Sequence, residues 1–271
     1  TDGVTAVSFI NDTLLASTSW DGQVRVHNTE TAALSVAHDM QAGPLLSLAV
    51  MQDVLYVGGA DGTIKSFRIS DSSVETIGKH EKAVSCLGIV GETVVSASWD
   101  AKLCIWSTTN VSEASPLAKV DLPGKAFSMD VHDKYAVVAC AGRQVLVLEI
   151  DGADTKIAFE RESLLKFQVR CVKFSNDGNS LATGSIEGRV AIEYLEEMGR
   201  AVPDGAKKYA FKCHRQGDKV YPVNSIAFHP QQGTFATGGC DGTVVTWDGL
   251  AKKKLTVLHT FSTSIASMCF S

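Results

Sequence analysis

Short apolar runs alternate along the chain with tight acidic or glycine-bearing turns, and the same arrangement is written six times. The clearest copy is Val94-Val95-Ser96-Ala97-Ser98-Trp99-Asp100-Ala101-Lys102-Leu103-Cys104-Ile105-Trp106. It reads as an apolar strand, a turn, then a strand that alternates apolar and polar residues. The other copies turn at Asp21-Gly22, Asp61-Gly62, Gly142-Arg143, Glu187-Gly188 and Asp241-Gly242. Asp-Gly between apolar runs favours a hairpin, because Gly takes positive φ at little cost and Asp tolerates it. After each turn every second residue is apolar: Val24 and Val26, Leu103 and Ile105, Val145 and Val147, Val190 and Ile192. A period of two marks strands with one buried face.

The turns fall at positions 21, 61, 100, 142, 187 and 241, so the repeat is 40, 39, 42, 45 and 54 residues long. Repeats of about 40–45 residues carrying four strands are the signature of β-propeller blades. The spacing predicts blades near 4–37, 45–77, 84–120, 127–159, 170–213 and 223–259, within one domain spanning 1–271. Blade four is degenerate, with Gly142-Arg143 where Asp-Gly would stand. The long last interval holds two insertions, Glu196–Lys208 and Arg215–Tyr221. After blade six the chain writes one more inner strand, Ser264–Phe270. Six blades and an orphan strand leave an open sheet edge, which is a liability. The expectation is therefore an all-β, seven-bladed propeller with an incomplete last blade, its missing strands lying past Ser271 or before Thr1. A six-bladed ring leaves Ser264–Phe270 without a role.

Composition narrows the function classes. The net charge is −5 and the hydrophobic content 45%. The acidic balance argues against extended nucleic-acid binding. No apolar run reaches the length of a membrane span, and no basic amphipathic leader precedes the first strand. The seven cysteines, 86, 104, 140, 171, 213, 240 and 269, form no C-x-x-C pair. Their odd number and scatter point to a reducing compartment and to small buried hydrophobes. The histidines show no metal-ligand spacing. No nucleophile elbow, zinc-protease motif or phosphate loop is present, so neither a cofactor nor a metal is expected.

Three features carry possible chemistry. Blade three offers His80, Ser96 or Ser98, and Asp100, the residue types of a hydrolytic triad. Burial of Ser96 and Ser98 would end that enzymatic reading. Trp20 and Trp99 each precede the turn Asp, where other copies carry Ala60, Ala141, Ile186 and Cys240. Either each indole packs beneath a neighbouring loop, or the pair forms exposed anchors on one rim of the ring. Arg189 follows the blade-five turn and by the repeat shares that face. Lys212, Arg215 and Lys219 lie in or beside a loop opening there. Aromatic anchors beside cations suit an acidic peptide or a phosphopeptide.

The repeats resemble WD40 repeats. In that family His, Ser, Asp and Trp, here His80, Ser96 or Ser98, Asp100 and Trp106, form a hydrogen-bonded tetrad that ties strands together. Gly78-Lys79-His80 is similar to the Gly-His that opens many such repeats. The second half resembles one branch of the family. Ser163–Cys171, Ser185–Leu195, Lys208–Arg215, Tyr221–Ile226, Thr234–Gly239 and Thr263–Ser267 look like the mitotic checkpoint proteins of the Bub-three (budding uninhibited by benzimidazole) family. An mRNA-export factor is their sibling. Glu193-Tyr194-Leu195 and Tyr221-Pro222-Val223 favour the checkpoint branch, whereas His229-Pro230 leans towards export.

The resemblance implies a non-enzymatic adaptor of the spindle assembly checkpoint, nuclear and at the kinetochore in mitosis, working as a monomeric propeller within a complex. It implies binding of the GLEBS segment of a checkpoint kinase or its kinase-like partner. Trp20 and Trp99 would clamp that segment and Arg189 would pair with one of its glutamates. It also implies reading of phosphorylated MELT repeats on a kinetochore scaffold by Arg215 and Lys212. The sibling would use the same face on a nucleoporin segment at the nuclear pore.

Overall fold

The structure, a computed structural model, describes residues 2–109 and 115–271. Among the described residues six four-stranded antiparallel meanders follow one another. They run from Val4 to Asp39, Leu45 to Lys79, Val84 to Asp121, Ala126 to Glu162, Val169 to Lys212 and Val223 to Thr260. The expected stretch of blade three through residues 110–114 lies outside the described residues. The first strands of neighbouring blades stand side by side around a central channel, so the fold is an all-β propeller.

The apolar positions that alternate in sequence meet between blades. Val95, Leu103 and Ile105 of blade three pack with Ala136, Val138, Leu146 and Leu148 of blade four. Between blades five and six Val190, Ile192 and Val223 pack with Phe235 and Trp247. Burial of this kind stabilises by roughly 25 cal/mol per Å² of apolar surface. Gly78 makes room for the Trp106 indole, since a Cβ there would stand 2.2 Å from the ring.

The turns follow the chemistry of their residues. Gly62 has φ +89°, and a Cβ there would come within 2.4 Å of the His80 carbonyl oxygen. Blade three places Ala101 at φ 63° in the same role, a region that costs an L-residue roughly 1 kcal/mol. In blade four the turn tightens into a 3-10 turn over Ala141–Arg143. Each turn is tied to the start of its own blade. The residue before the turn donates its N–H to the carbonyl preceding the first strand, as from Trp20 to Gly3, Trp99 to Ala83 and Ile186 to Gln168.

Beyond blade six the seventh blade is only partly formed. Ser264–Phe270 takes the place of an inner strand between blades one and six, but it is not a strand. Its expected ladder has no neighbour among the described residues. Other hydrogen bonds hold it instead: Ile265 N–H to the Gly239 carbonyl at 3.0 Å, Met268 N–H to Ser225 Oγ at 3.1 Å, and Val7 N–H to Ser267 Oγ at 3.3 Å.

Candidate functional site

The Ser-His-Asp constellation of blade three exists and is sealed. His80 Nε2 lies 2.8 Å from Ser96 Oγ and its Nδ1 2.9 Å from Asp100 Oδ2. The Trp106 indole N–H donates to Ser96 Oγ at 2.7 Å. Ser98 is not a member; its hydroxyl donates to the Lys82 carbonyl. Ser96 and Ser98 are both fully buried, so no substrate reaches either hydroxyl. The group ties the second and third strands of the blade, and the turn between them, to the segment entering it. Burial pushes the His80 imidazole below its ordinary pKa, with Asp100 opposing the shift.

A second tetrad stands in blade six. His214 Nε2 lies 2.8 Å from Thr237 Oγ1 and its Nδ1 2.9 Å from Asp241 Oδ1, while the Trp247 indole N–H donates to Thr237 Oγ1. The repeat spacing does not single out His214, because a two-stranded hairpin over Arg215–Gln216 and Lys219–Val220 separates it from its blade. The signal was present: Asp241 precedes Trp247 by the same interval as Asp100 precedes Trp106. Blade five has Thr183 and Glu193 in the corresponding places. The Thr183 hydroxyl is buried with no partner.

On the turn face the tryptophans are exposed, Trp20 by 49% and Trp99 by 37%. They line the same funnel, of ≈ 470 Å³, at the channel mouth, together with Ile186 of the blade-five turn. The funnel also holds Phe127 and Arg170, which the turn repeat alone did not single out.

Arg189 stands outside the funnel. It lines an outer pocket of ≈ 210 Å³ with Leu164, Leu165, Lys166, Glu187 and Ala210, and its Nε lies 3.5 Å from Glu187 Oε2. In the blade-five ladder Arg189 is directly opposite Lys212, so both point to one side of the sheet. Arg215 braces the same turn: its Nη2 donates to the Glu187 carbonyl at 2.8 Å and its Nε approaches the Gly188 carbonyl at 3.4 Å. Lys212 is exposed, as is Lys219 on the hairpin. Arg189, Lys212 and Arg215 thus form one basic rim around the blade-five turn, with the aromatic funnel inward of it. Among the described residues no cluster of three or more His, Cys, Asp or Glu can hold a metal ion. No helix among them is long and apolar enough to cross a membrane.

The family model for the WD domain, G-beta repeat, matches residues 1–28, 71–107, 162–192 and 205–248. "Mitotic checkpoint protein BUB3.1" of Arabidopsis thaliana is 38% identical, over 100% of this chain and 81% of that protein. "Mitotic checkpoint protein bub3" of Dictyostelium discoideum is 35% identical over 99% of this chain and 82% of its own. The "Poly(A)+ RNA export protein" of Schizosaccharomyces pombe is 34% identical over 89% and 70% respectively. Among solved structures, the computationally designed Ika8 protein superposes with a TM-score of 0.72 over 99% of this chain and 78% of its own, at 20% identity. That last likeness concerns the fold alone.

Proposed function

The chain belongs to the WD-repeat family that holds the Bub3 checkpoint proteins and their Rae1 siblings, and we propose that it is a non-enzymatic adaptor of the spindle assembly checkpoint. The relatives named for the checkpoint support this role at up to 38% identity over the full chain. On this reading the turn face carries a GLEBS-type segment of a checkpoint kinase or its kinase-like partner. Trp20 and Trp99 grip apolar side chains of the segment and Arg189 pairs with one of its glutamates. The basic rim reads phosphorylated MELT repeats of a kinetochore scaffold through Arg215 and Lys212. A phosphothreonine carries nearly two negative charges, so the rim distinguishes it from threonine. The protein acts in the nucleus and, in mitosis, at the kinetochore.

The observation that carries the reading is the pair of exposed tryptophans in one funnel beside a rim of three cations. Large apolar side chains without cover mark interaction sites. Here they lie beside charges that suit an acidic, phosphorylated partner.

The test is calorimetric titration with a MELT-type peptide, phosphorylated and not, with and without a GLEBS-type peptide bound. Binding of the phosphorylated form alone, lost on changing Arg215, is the expected result. The Rae1-type relatives give the second reading, an mRNA-export factor on a nucleoporin segment. Failure of both MELT peptides, with a nucleoporin GLEBS segment still bound, would favour it.

A further inference from the structure

A second cleft lies between blades five and six, on the face away from the tryptophans. A four-stranded meander turns at alternate ends, so the hairpins joining first to second strands lie opposite the turns that carry Trp20 and Trp99. Two such hairpins, residues 175–179 of blade five and 229–233 of blade six, border the cleft. Its volume is ≈ 270 Å³. Ile192, Phe228, Phe235 and Leu250 give it an apolar wall, and Pro203 of the insertion also lines it. Leu250 is 72% exposed, so the wall opens to solvent.

The blade-five hairpin makes the polar side. Asp177 is the only charged residue lining the cleft. Its carboxylate accepts from the Ser175 hydroxyl at 2.6 Å, the Asn179 backbone N–H at 3.1 Å and the Asn179 side-chain amide at 2.9 Å. These bonds fix its position but leave its charge unpaired, since no Lys, Arg or His among the described residues meets it. Tyr194, on the third strand of blade five, lines the same cleft. Burial pushes its hydroxyl above the ordinary pKa, and the nearby Asp177 charge adds to the shift. The edge of the cleft already shows a cation on an aromatic ring. Lys252 Nζ lies 4.7 Å from the Tyr209 ring centre, and the Tyr209 hydroxyl donates to the carbonyl of Gly249, a lining residue.

We propose that this cleft binds an arginine side chain presented by a basic segment of a partner protein. The carboxylate of Asp177 receives the guanidinium, the Tyr194 ring stacks on it, and Phe228 and Leu250 cover the methylene stem. A side chain with an apolar stem and a charged head matches a site with an apolar wall and one fixed carboxylate. A guanidinium is planar, stacks on aromatic faces and offers parallel N–H groups to a carboxylate. An acidic side chain would meet the charge of Asp177, and a neutral one would leave that charge unpaired. The cleft and the funnel lie on opposite faces, so the inference does not depend on what the tryptophans bind.

The experiment is a methyl NMR titration of the protein with N-acetyl-arginine methylamide and with its lysine and norleucine counterparts. The methyl groups of Ile192 and Leu250 line the cleft and report its occupancy, while Ile186 lines the funnel and reports the other face. The arginine probe should move the Ile192 and Leu250 signals to saturation and leave Ile186 in place. The lysine probe should bind more weakly, and the norleucine probe should not saturate. Asp177→Asn keeps an acceptor oxygen for the hairpin and removes the charge. It should weaken the arginine probe about fivefold, the upper range for an exposed ion pair. Should that variant melt early, salt decides on the unchanged protein, where arginine binding must weaken as ionic strength rises. Equal binding of the norleucine and arginine probes overturns the proposal, as does arginine binding that neither Asp177→Asn nor salt changes. Movement of Ile186 alone, or of no signal with any probe, overturns it too.

Discussion

Arg215 donates from Nη2 to the carbonyl of Glu187 at 2.8 Å, so the residue proposed to read phosphate also holds the turn that carries Arg189. The two positions sit on neighbouring structural pieces, a hairpin and the blade turn it leans on. Arg215→Lys keeps the charge and loses the fork. It should weaken a phosphorylated MELT peptide several-fold and also shift affinity for a GLEBS peptide. Lys212→Ala, whose side chain is exposed on the ladder opposite Arg189, should weaken only the phosphopeptide. Titration of both peptides against both variants checks this; identical profiles for the two variants would contradict it.

Trp20 and Trp99 are partly exposed, and neither belongs to a buried core cluster among the described residues. Trp20→Ala and Trp99→Ala should therefore leave the melting temperature within about 2 °C while costing about 2–4 kcal/mol of peptide binding each. Calorimetry on each variant, beside its thermal melt, separates the two effects. A large fall in stability would show instead that the indoles hold loops in place.

The paired histidines give a pH dependence with a definite sign. Burial holds His80 and His214 below their ordinary pKa in the folded state. The unfolded chain then binds more protons than the folded one once the pH falls below about 6.5. Their stabilisation is complete above that value and is lost progressively as the pH falls from it towards the folded pKa values. Urea unfolding at pH 7.5 and 5.5 should show the lower stability at 5.5. A flat profile would mean that the imidazoles are protonated within the fold.

Thr183 has a buried hydroxyl with no partner, where blades three and six place Ser96 and Thr237 in tetrads. A buried polar group left unsatisfied costs about 1–3 kcal/mol. Thr183→Val keeps the shape and removes the hydroxyl, so it should be neutral or raise stability by about 1 kcal/mol. The same change at Thr237 should lower stability by 2 kcal/mol or more, since the His214 and Trp247 nitrogens lose their partner. Denaturant midpoints of the two variants decide it, and a loss at Thr183 comparable to that at Thr237 would refute the contrast.

What was legible in the sequence was local. Asp-Gly turns, two-residue alternation and a forty-residue period need only neighbouring residues, and they are enough to write the blades. The tetrad of blade three was legible because its four members sit within one uninterrupted repeat. The tetrad of blade six was not, because the hairpin between His214 and Val223 breaks the spacing that identifies it. The inner strand written by Ser264–Phe270 was legible as a pattern, yet a strand exists only where a neighbour completes its ladder.

The sequence by itself determined the fold class and the place of each turn, and it singled out Trp20 and Trp99 as large residues where a hairpin asks for none, while leaving open whether they pack beneath loops or stand exposed. Only the tertiary structure decided which of these meet. Closing the ring brings blades one, three and five to one mouth, so Trp20, Trp99 and Ile186 share a funnel although long stretches of chain separate them. It puts Arg189 on the outer rim and Arg170 inside, a division the repeat could not make. The reason is geometric: a strand pattern fixes which face of a blade a side chain takes, but its distance from the channel axis depends on the blade's rank of strands. The ladder of blade five skips Arg170 between Val169 and Cys171, and such a bulge belongs to two paired strands, not to one.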